Sequence, residues 1–321
     1  MNTSSTPSLE AADCLETIAC YGCGETSHEE FVLAQDDLTG RPGQFRFVTC
    51  ARCGLVYQNP RIRLEDIKGF YGEDYIAHRP SRVRGWWGSL LRFALDGVER
   101  RKDRLVRNYL ELDASHRVLD VGCGAGGFLQ RVRQRYGAHT SGVDFKDLSA
   151  HPCLAGSRFY GGLFYEQDFG EERFDLVTMW HFLEHDYDPV RSLETARSVL
   201  ARQGLLIVEV PRLDSLTQRL FQERWPGLQA PQHTVLFSRE SLMRLVQKAG
   251  LQVVDYLPYG AFPAYYYLFT GVAFKLLRGR GLSPRGAIVP YLLGQALLWP
   301  ILRFEKRLNL AMQTLVCRRD S

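Results

Sequence analysis

The stretch Val118-Leu119-Asp120-Val121-Gly122-Cys123-Gly124-Ala125-Gly126-Gly127 constrains this chain more than any other. An apolar strand, read over Arg117–Val121, runs into glycines, and a helix follows over 128–136. Only glycine lets the backbone turn that sharply and come within contact of a ligand. Gly122, Gly124 and Gly127 satisfy G-x-G-x-x-G, a spacing that dinucleotide enzymes also use. Downstream, strands are read at 140–144, Phe174–Trp180, 205–210 and 251–256, and helices at 189–201 and from Ser238 through Ala249. Ser238 is the N-cap of that last helix, Glu240 lies in its first turn and Gly250 just past its end. This alternation predicts a parallel α/β sheet covered on both faces.

Asp144 closes the strand about twenty residues beyond the glycines, placed to accept hydrogen bonds from two ribose hydroxyls. Asp120 then separates the cofactor classes. A carboxylate just before the glycines repels a pyrophosphate lying on the helix N-terminus and suits a cationic ammonium and sulfonium. The residues therefore favour S-adenosylmethionine over NAD.

Cys20-x-x-Cys23 and Cys50-x-x-Cys53 form the second signal. No secretory signal precedes them, and a chain kept in a reducing compartment uses paired C-x-x-C for metal before disulfide. Gly22, Gly24 and Gly54 supply tight turns. Four thiolates close a tetrahedral site with no open position, which predicts a structural Zn2+; free or redox thiols are the plainer alternative.

The composition of the 321 residues, 45% hydrophobic and 24% charged, excludes a disordered chain, a collagen and a polytopic membrane protein. A net charge of +4 permits anionic lipid or nucleic acid without requiring either. RNA methylation is disfavoured: there is no Asn-Pro-Pro-Tyr motif and no cysteine placed as an m5C nucleophile.

The residues 118–128 resemble motif I of class I S-adenosylmethionine-dependent methyltransferases. Gly142-Val143-Asp144 resembles their second motif, and residues 174–185, FDLVTMWHFLEH, the strand and turn that follow. The paired C-x-x-C, "CGLVYQNPR" at 53–61 and "FYGEDY" at 70–75 are similar to a branch of small-molecule methyltransferases that includes sugar C-methyltransferases. The resemblance implies a Rossmann-like, seven-stranded sheet with a zinc-ribbon-like module in front. It implies that Asp120, Gly122 and Gly124 line the methionine and ribose part of the cofactor and that Asp144 holds the ribose. Gly162 and Leu163 fall near the adenine. Met179, Trp180 and His181 face the transferred methyl, with core packing the alternative for Trp180.

An oxygen or carbon acceptor must lose a proton, and the candidates are His181 and His233. In the sugar C-methyltransferases an acidic residue stands just before the second of these; Gln232 occupies that place, which favours O-methylation. A loop histidine bonded to backbone is the alternative for His233.

The domains read as a 1–19 tail, a 20–62 zinc module, a 63–113 helical linker, a 114–260 cofactor domain, a 261–308 insertion and a 309–321 final strand. The insertion carries two long uncharged runs flanked by Arg and Lys, with Tyr265, Tyr266, Tyr267 and Trp299 suited to a membrane interface. Together with Trp86, Trp87 and the basic residues of 79–107, it predicts contact with the inner face of a membrane and a lipid-linked acceptor. A soluble lid or a homodimer interface is the other reading.

Overall fold

The computed structural model describes residues 14–71, 86–282, 294, 297–298 and 308–320. Short strands come first: β1 (Leu15–Glu16), β2 (His28–Ala34), β3 (Phe45–Cys50), β4 (Val56–Gln58) and β5 (Arg61–Ile62). Helices α1 (Leu64–Ile67) and α2 (Trp86–Arg107) lead to the glycine loop. The remainder runs β6 (Arg117–Val121), α3 (Gly127–Tyr136), β7 (His139–Asp144), β8 (Arg158–Gly161), β9 (Phe174–Trp180), α4 (Pro189–Val199), β10 (Leu200–Pro211), α5 (Leu216–Phe221), β11 (Val235–Leu236), α6 (Arg239–Lys248), β12 (Leu251–Leu257), α7 (Ala264–Leu277) and β13 (Met312–Arg319).

Seven strands form one sheet in the order β12-β13-β10-β9-β6-β7-β8. The strands β6 to β10 are parallel, and β13 runs antiparallel between β10 and β12. Strand alternation feeds both covered faces. Val118 packs in one layer with Phe128, Leu129 and Val132 of α3. Leu119 and Val121 pack in the other with Leu193 of α4 and Leu242 of α6. Strand order reverses at β6, between β7 and β9, which opens a crevice at the carboxyl ends of the strands.

Helix α4 stops at Val199, two residues short of the sequence reading. Leu200 is drawn into β10 opposite Phe174, ahead of a register shift. At α6 the expected Ser238 cap is a capping box in which Ser241, rather than an acid, returns the hydrogen bond.

The N-terminal module borrows a strand. β11 pairs with β4, which makes a four-stranded sheet β11-β4-β3-β2 across the proposed boundary. Within the stretch read as a tail, Leu15 pairs with Ile62 and Cys14 is buried. Two cations of α6 bind the module from the other side: Arg244 donates to the Cys53 carbonyl at 2.6 Å and Lys248 to that of Gly22 at 2.7 Å.

No helix among the described residues is long and apolar enough to cross a membrane. Tyr265 and Tyr267, expected at a membrane interface, are buried instead: α7 packs on α5, Tyr267 shares a core cluster with Phe221 and Trp225, and the Arg101 guanidinium lies 6.0 Å from the Tyr265 ring. The second uncharged run at 286–302, apart from 294 and 297–298, lies outside the described residues. So do Trp299, residues 72–75 of the aromatic-acidic motif, residues 79–85 and the side chains of Trp86 and Trp87.

Candidate active site

The glycine loop takes its shape from positive backbone angles. Gly122 has φ of 72° and Gly124 of 50°. A side chain at Gly122 would also bring its Cβ within 2.8 Å of the Phe182 ring. Gly124 donates its amide to Asp144 Oδ2 at 2.9 Å, so the carboxylate at the end of β7 is fixed against the loop that follows β6. A second amide, of Lys146, donates to Oδ1 at 3.0 Å.

These residues wall a cleft of about 1970 Å³, above the usual ~300–1,000 Å³ of one ligand pocket and roomy enough for two reactants. Gly122, Gly124, Asp144, Gly162, Leu163, Trp180, His181 and His233 all line it. Asp120 lies beneath the loop, 3% exposed, accepting from the Thr178 hydroxyl at 2.6 Å. Burial raises its pKa to about 7 against the opposing charge of Lys102.

Met179 is not a cleft residue. Alternation along β9 turns it with Val177 into one core layer, whereas Trp180 joins Leu176 in the other. Trp180 packs edge-on against Phe128, and the Lys102 ammonium lies 5.6 Å from its ring.

His181 follows β9 with φ of 53°, a left-handed conformation that costs a non-glycine residue about 1–3 kcal/mol. Nδ1 lies 3.3 Å from Glu184 Oε1. Nε2 lies 3.2 Å from Glu209 Oε1, off the hydrogen-bonding direction. Burial opposes a charge on the ring, but the two carboxylates outweigh it and raise the pKa to about 9. The raised pKa favours a protonated ring held between the two carboxylates.

His233 is buried, and its ring meets that of His185 edge-on at 4.4 Å. Nδ1 lies 2.8 Å from the Gly227 carbonyl. Burial, then the neighbouring His185, hold its pKa well below the ordinary value. Its loop is stitched to the turn after β9 and to the module: Thr234 donates to the Glu184 carbonyl at 2.8 Å, and Gln58 Nε2 donates to the Pro231 and His233 carbonyls at 3.1 and 2.8 Å. Gln232 is buried with its amide on the Phe70 carbonyl.

Sequence reading missed Lys102, Glu209 and Tyr71. Glu209 had a signal: it is the lone charge in Leu205-Leu206-Ile207-Val208-Glu209-Val210. Its carboxylate accepts the amides of Ala261 and Phe262 at 2.6 and 2.9 Å, which ties the start of the insertion to the cleft. Lys102 lines the cleft from α2 and pairs with Glu99 at 3.3 Å. Tyr71 reaches His185 through its hydroxyl.

Cys20, Cys23, Cys50 and Cys53 converge, with Sγ atoms 3.4 Å apart between Cys20 and Cys53 and 3.5 Å between Cys23 and Cys50. Their two loops repeat one hydrogen-bond frame. The Cys20 amide donates to Glu25 and that of Gly24 to Cys20, both at 2.8 Å. The Cys50 amide donates to Leu55 and that of Gly54 to Cys50, both at 2.9 Å. Each frame turns on a left-handed glycine, Gly24 at φ 74° and Gly54 at 71°; Gly22 is not one of them.

Among curated proteins, the ubiquinone biosynthesis O-methyltransferase of Cereibacter sphaeroides is 30% identical over 152 residues, 43% of this chain and 61% of that protein. That of Haemophilus ducreyi is 30% identical over 120 residues, 32% of this chain and 49% of its own length. The chain thus spans at most about three fifths of these curated relatives. Among solved structures, the CcbJ methyltransferase from Streptomyces caelestis superposes with a TM-score of 0.44 at 16% identity, covering 70% of this chain and 95% of that one. The [4+2]-cyclase SpnF superposes with 0.47 at 18%, covering 69% and 80%. The sequence model of the methyltransferase domain family matches residues 93–256, half of the chain and the whole span from α2 through the glycine loop to β12. With the seven-stranded order and the glycine cradle, that match makes the chain a member of the class I S-adenosylmethionine-dependent methyltransferases.

Proposed function

We propose that this methyltransferase moves the methyl group of S-adenosylmethionine to a hydroxyl oxygen of a small, apolar or lipid-linked acceptor. The observation that carries the reading is the tautomer of His233. The Gly227 carbonyl can only accept, so Nδ1 bears the proton and Nε2 presents a lone pair at the cleft. As the acceptor oxygen forms its bond to the methyl carbon, the S–C electron pair returns to sulfur and the hydroxyl proton passes to Nε2. Asp144 is assigned to the ribose hydroxyls, Gly162 and Leu163 to the adenine, and Asp120 with Gly122 and Gly124 to the cationic methionine end. Most of the remaining rate comes from alignment and exclusion of water.

The apolar side of the cleft, with Phe262, Tyr266 and Tyr267, suits an apolar acceptor. The relatives' name gives oxygen as the methylated atom in those proteins. Leu216 and Leu220 of α5 and Val272 and Leu276 of α7 are exposed, at 53, 52, 50 and 77%, and support contact with a bilayer surface. To test the reading, the enzyme is given methyl-labelled S-adenosylmethionine with a lipid extract. The product label is expected in the organic phase and should be released as methyl iodide by hydriodic acid, as from an ether. Acid-stable label would mean carbon methylation and refute the oxygen assignment.

The four thiols are assigned to one structural zinc. Their spacing approaches the ~3.8 Å edge of a tetrahedron with bonds of about 2.3 Å, and the paired frames fit four equivalent thiolates. The metal would hold β3 and β4 in place, and through Gln58 the His233 loop. Cys50→Ser is therefore expected to lose the metal and lower turnover about tenfold or more, while S-adenosylhomocysteine affinity stays within about twofold. Metal analysis and calorimetry on the same samples check this; unchanged turnover in metal-free protein would contradict the coupling.

A further inference from the structure

The turn after β9 and the loop before β11 bring a carboxylate and two imidazoles together at the cleft. Glu184, His185 and His233 each offer one ligand atom, and these atoms lie within 4.8 Å of one another. His185 and His233 line the cleft. The two rings are prepared alike. Nδ1 of His185 lies 3.0 Å from the Gln232 carbonyl, as Nδ1 of His233 lies 2.8 Å from that of Gly227. Carbonyls cannot donate, so both Nδ1 atoms are assigned protons, with the Tyr71 hydroxyl, also 3.0 Å from Nδ1 of His185, as an acceptor, and both Nε2 atoms keep lone pairs. A ring whose far N–H is anchored on a carbonyl is the arrangement that orients histidine as a metal ligand.

Glu184 supplies the independent observation. It is 1% exposed, and neither carboxylate oxygen has a hydrogen-bond partner among the described residues. Oε1 is ion-paired with His181 Nδ1 at 3.3 Å, which leaves Oε2 as the oxygen without an ion pair among those residues. A buried carboxylate oxygen left without a donor is costly, and a bound cation would satisfy Oε2. The frame around the three residues is stiff: Thr234 binds the Glu184 and Asp186 carbonyls through its amide and hydroxyl, at 2.8 and 2.6 Å.

We propose that Glu184, His185 and His233 form a second metal site, distinct from the four cysteines, that binds a divalent first-row transition ion. Two nitrogens and one oxygen suit such an ion better than Mg2+ or Ca2+ and leave coordination positions open toward the cleft. The proposal rests on the methyl-transfer reading and deepens it. With Glu184, His185 and His233 as ligands, the ion would lower the pKa of an acceptor hydroxyl, so that the proton would leave to bulk water where Nε2 is a ligand and to Nε2 only where the ion is absent. The oxygen then forms the C–O bond while the S–C pair returns to sulfur as S-adenosylhomocysteine.

The test uses the full chain with its cysteine site filled, titrated with Co2+ alone. One further equivalent is expected, with visible d–d bands but without the near-ultraviolet thiolate charge transfer that marks cysteine ligation. Glu184→Gln and His185→Gln, checked for folding by S-adenosylhomocysteine binding, should each weaken it at least about tenfold. X-ray absorption on the wild-type chain, which needs no variant to fold, should count two imidazoles and no sulfur. No cobalt beyond the cysteine-bound equivalent, a sulfur shell, fewer than two imidazoles, or folded variants that bind as tightly as wild type would each overturn the site. The labelled-ether assay judges methyl transfer separately, so the two readings fail independently.

Discussion

His233→Ala is expected to lower turnover about a hundredfold or more and leave S-adenosylhomocysteine affinity unchanged. Nε2 of this ring is the lone pair assigned to the acceptor hydroxyl, whether it takes the proton or holds the ion that expels it. Among the described residues, the strands β6, β7 and β8, whose ends carry the residues assigned to the cofactor, make no ladder with its loop, which pairs instead with β4. A drop in turnover without a change in cofactor affinity therefore separates this role from general damage. Steady-state rates and calorimetry on the same preparation check it. If turnover survives, the acceptor reaches the sulfonium already ionised and the assignment fails.

Asp144→Ala should weaken S-adenosylmethionine binding by about 2–4 kcal/mol, on the order of 30- to 1,000-fold in Kd, through two lost charge-assisted hydrogen bonds. Part of that loss is indirect, because the carboxylate also receives the amides of Gly124 and Lys146. Asp144→Asn keeps the shape and one acceptor and should lie between wild type and the alanine variant. Equal affinity in all three proteins would sink the cofactor assignment.

The sheet was legible because its signals are local. Arg117–Val121 ends in glycines that no other conformation explains, and Ser238 and Gly250 punctuate α6. The converging cysteines were legible because spacing alone brings four thiols to one point. What the sequence hid was relational. Met179 and Trp180 are neighbours in a motif, yet strand alternation sends them to opposite layers. His181 looks like a free imidazole until Glu209, from the neighbouring strand, arrives 3.2 Å away. Tyr267 looks like a membrane-interface residue because nothing local says that Phe221 and Trp225 pack against it. Val235–Leu236 is too short to register as a strand, and only its partner β4 makes it one.

The ladder between β4 and β11 also limits how such a chain can diversify. Residues 56–58 and 235–236 meet across nearly two hundred positions of sequence, and Gln58 reads the backbone of Pro231 and His233 directly. Recombination that exchanged the front segment alone would hand the acceptor loop a mismatched edge. A productive crossover would have to carry both segments together, so the cysteine-bearing front and the loop holding His233 are expected to travel as one inherited unit.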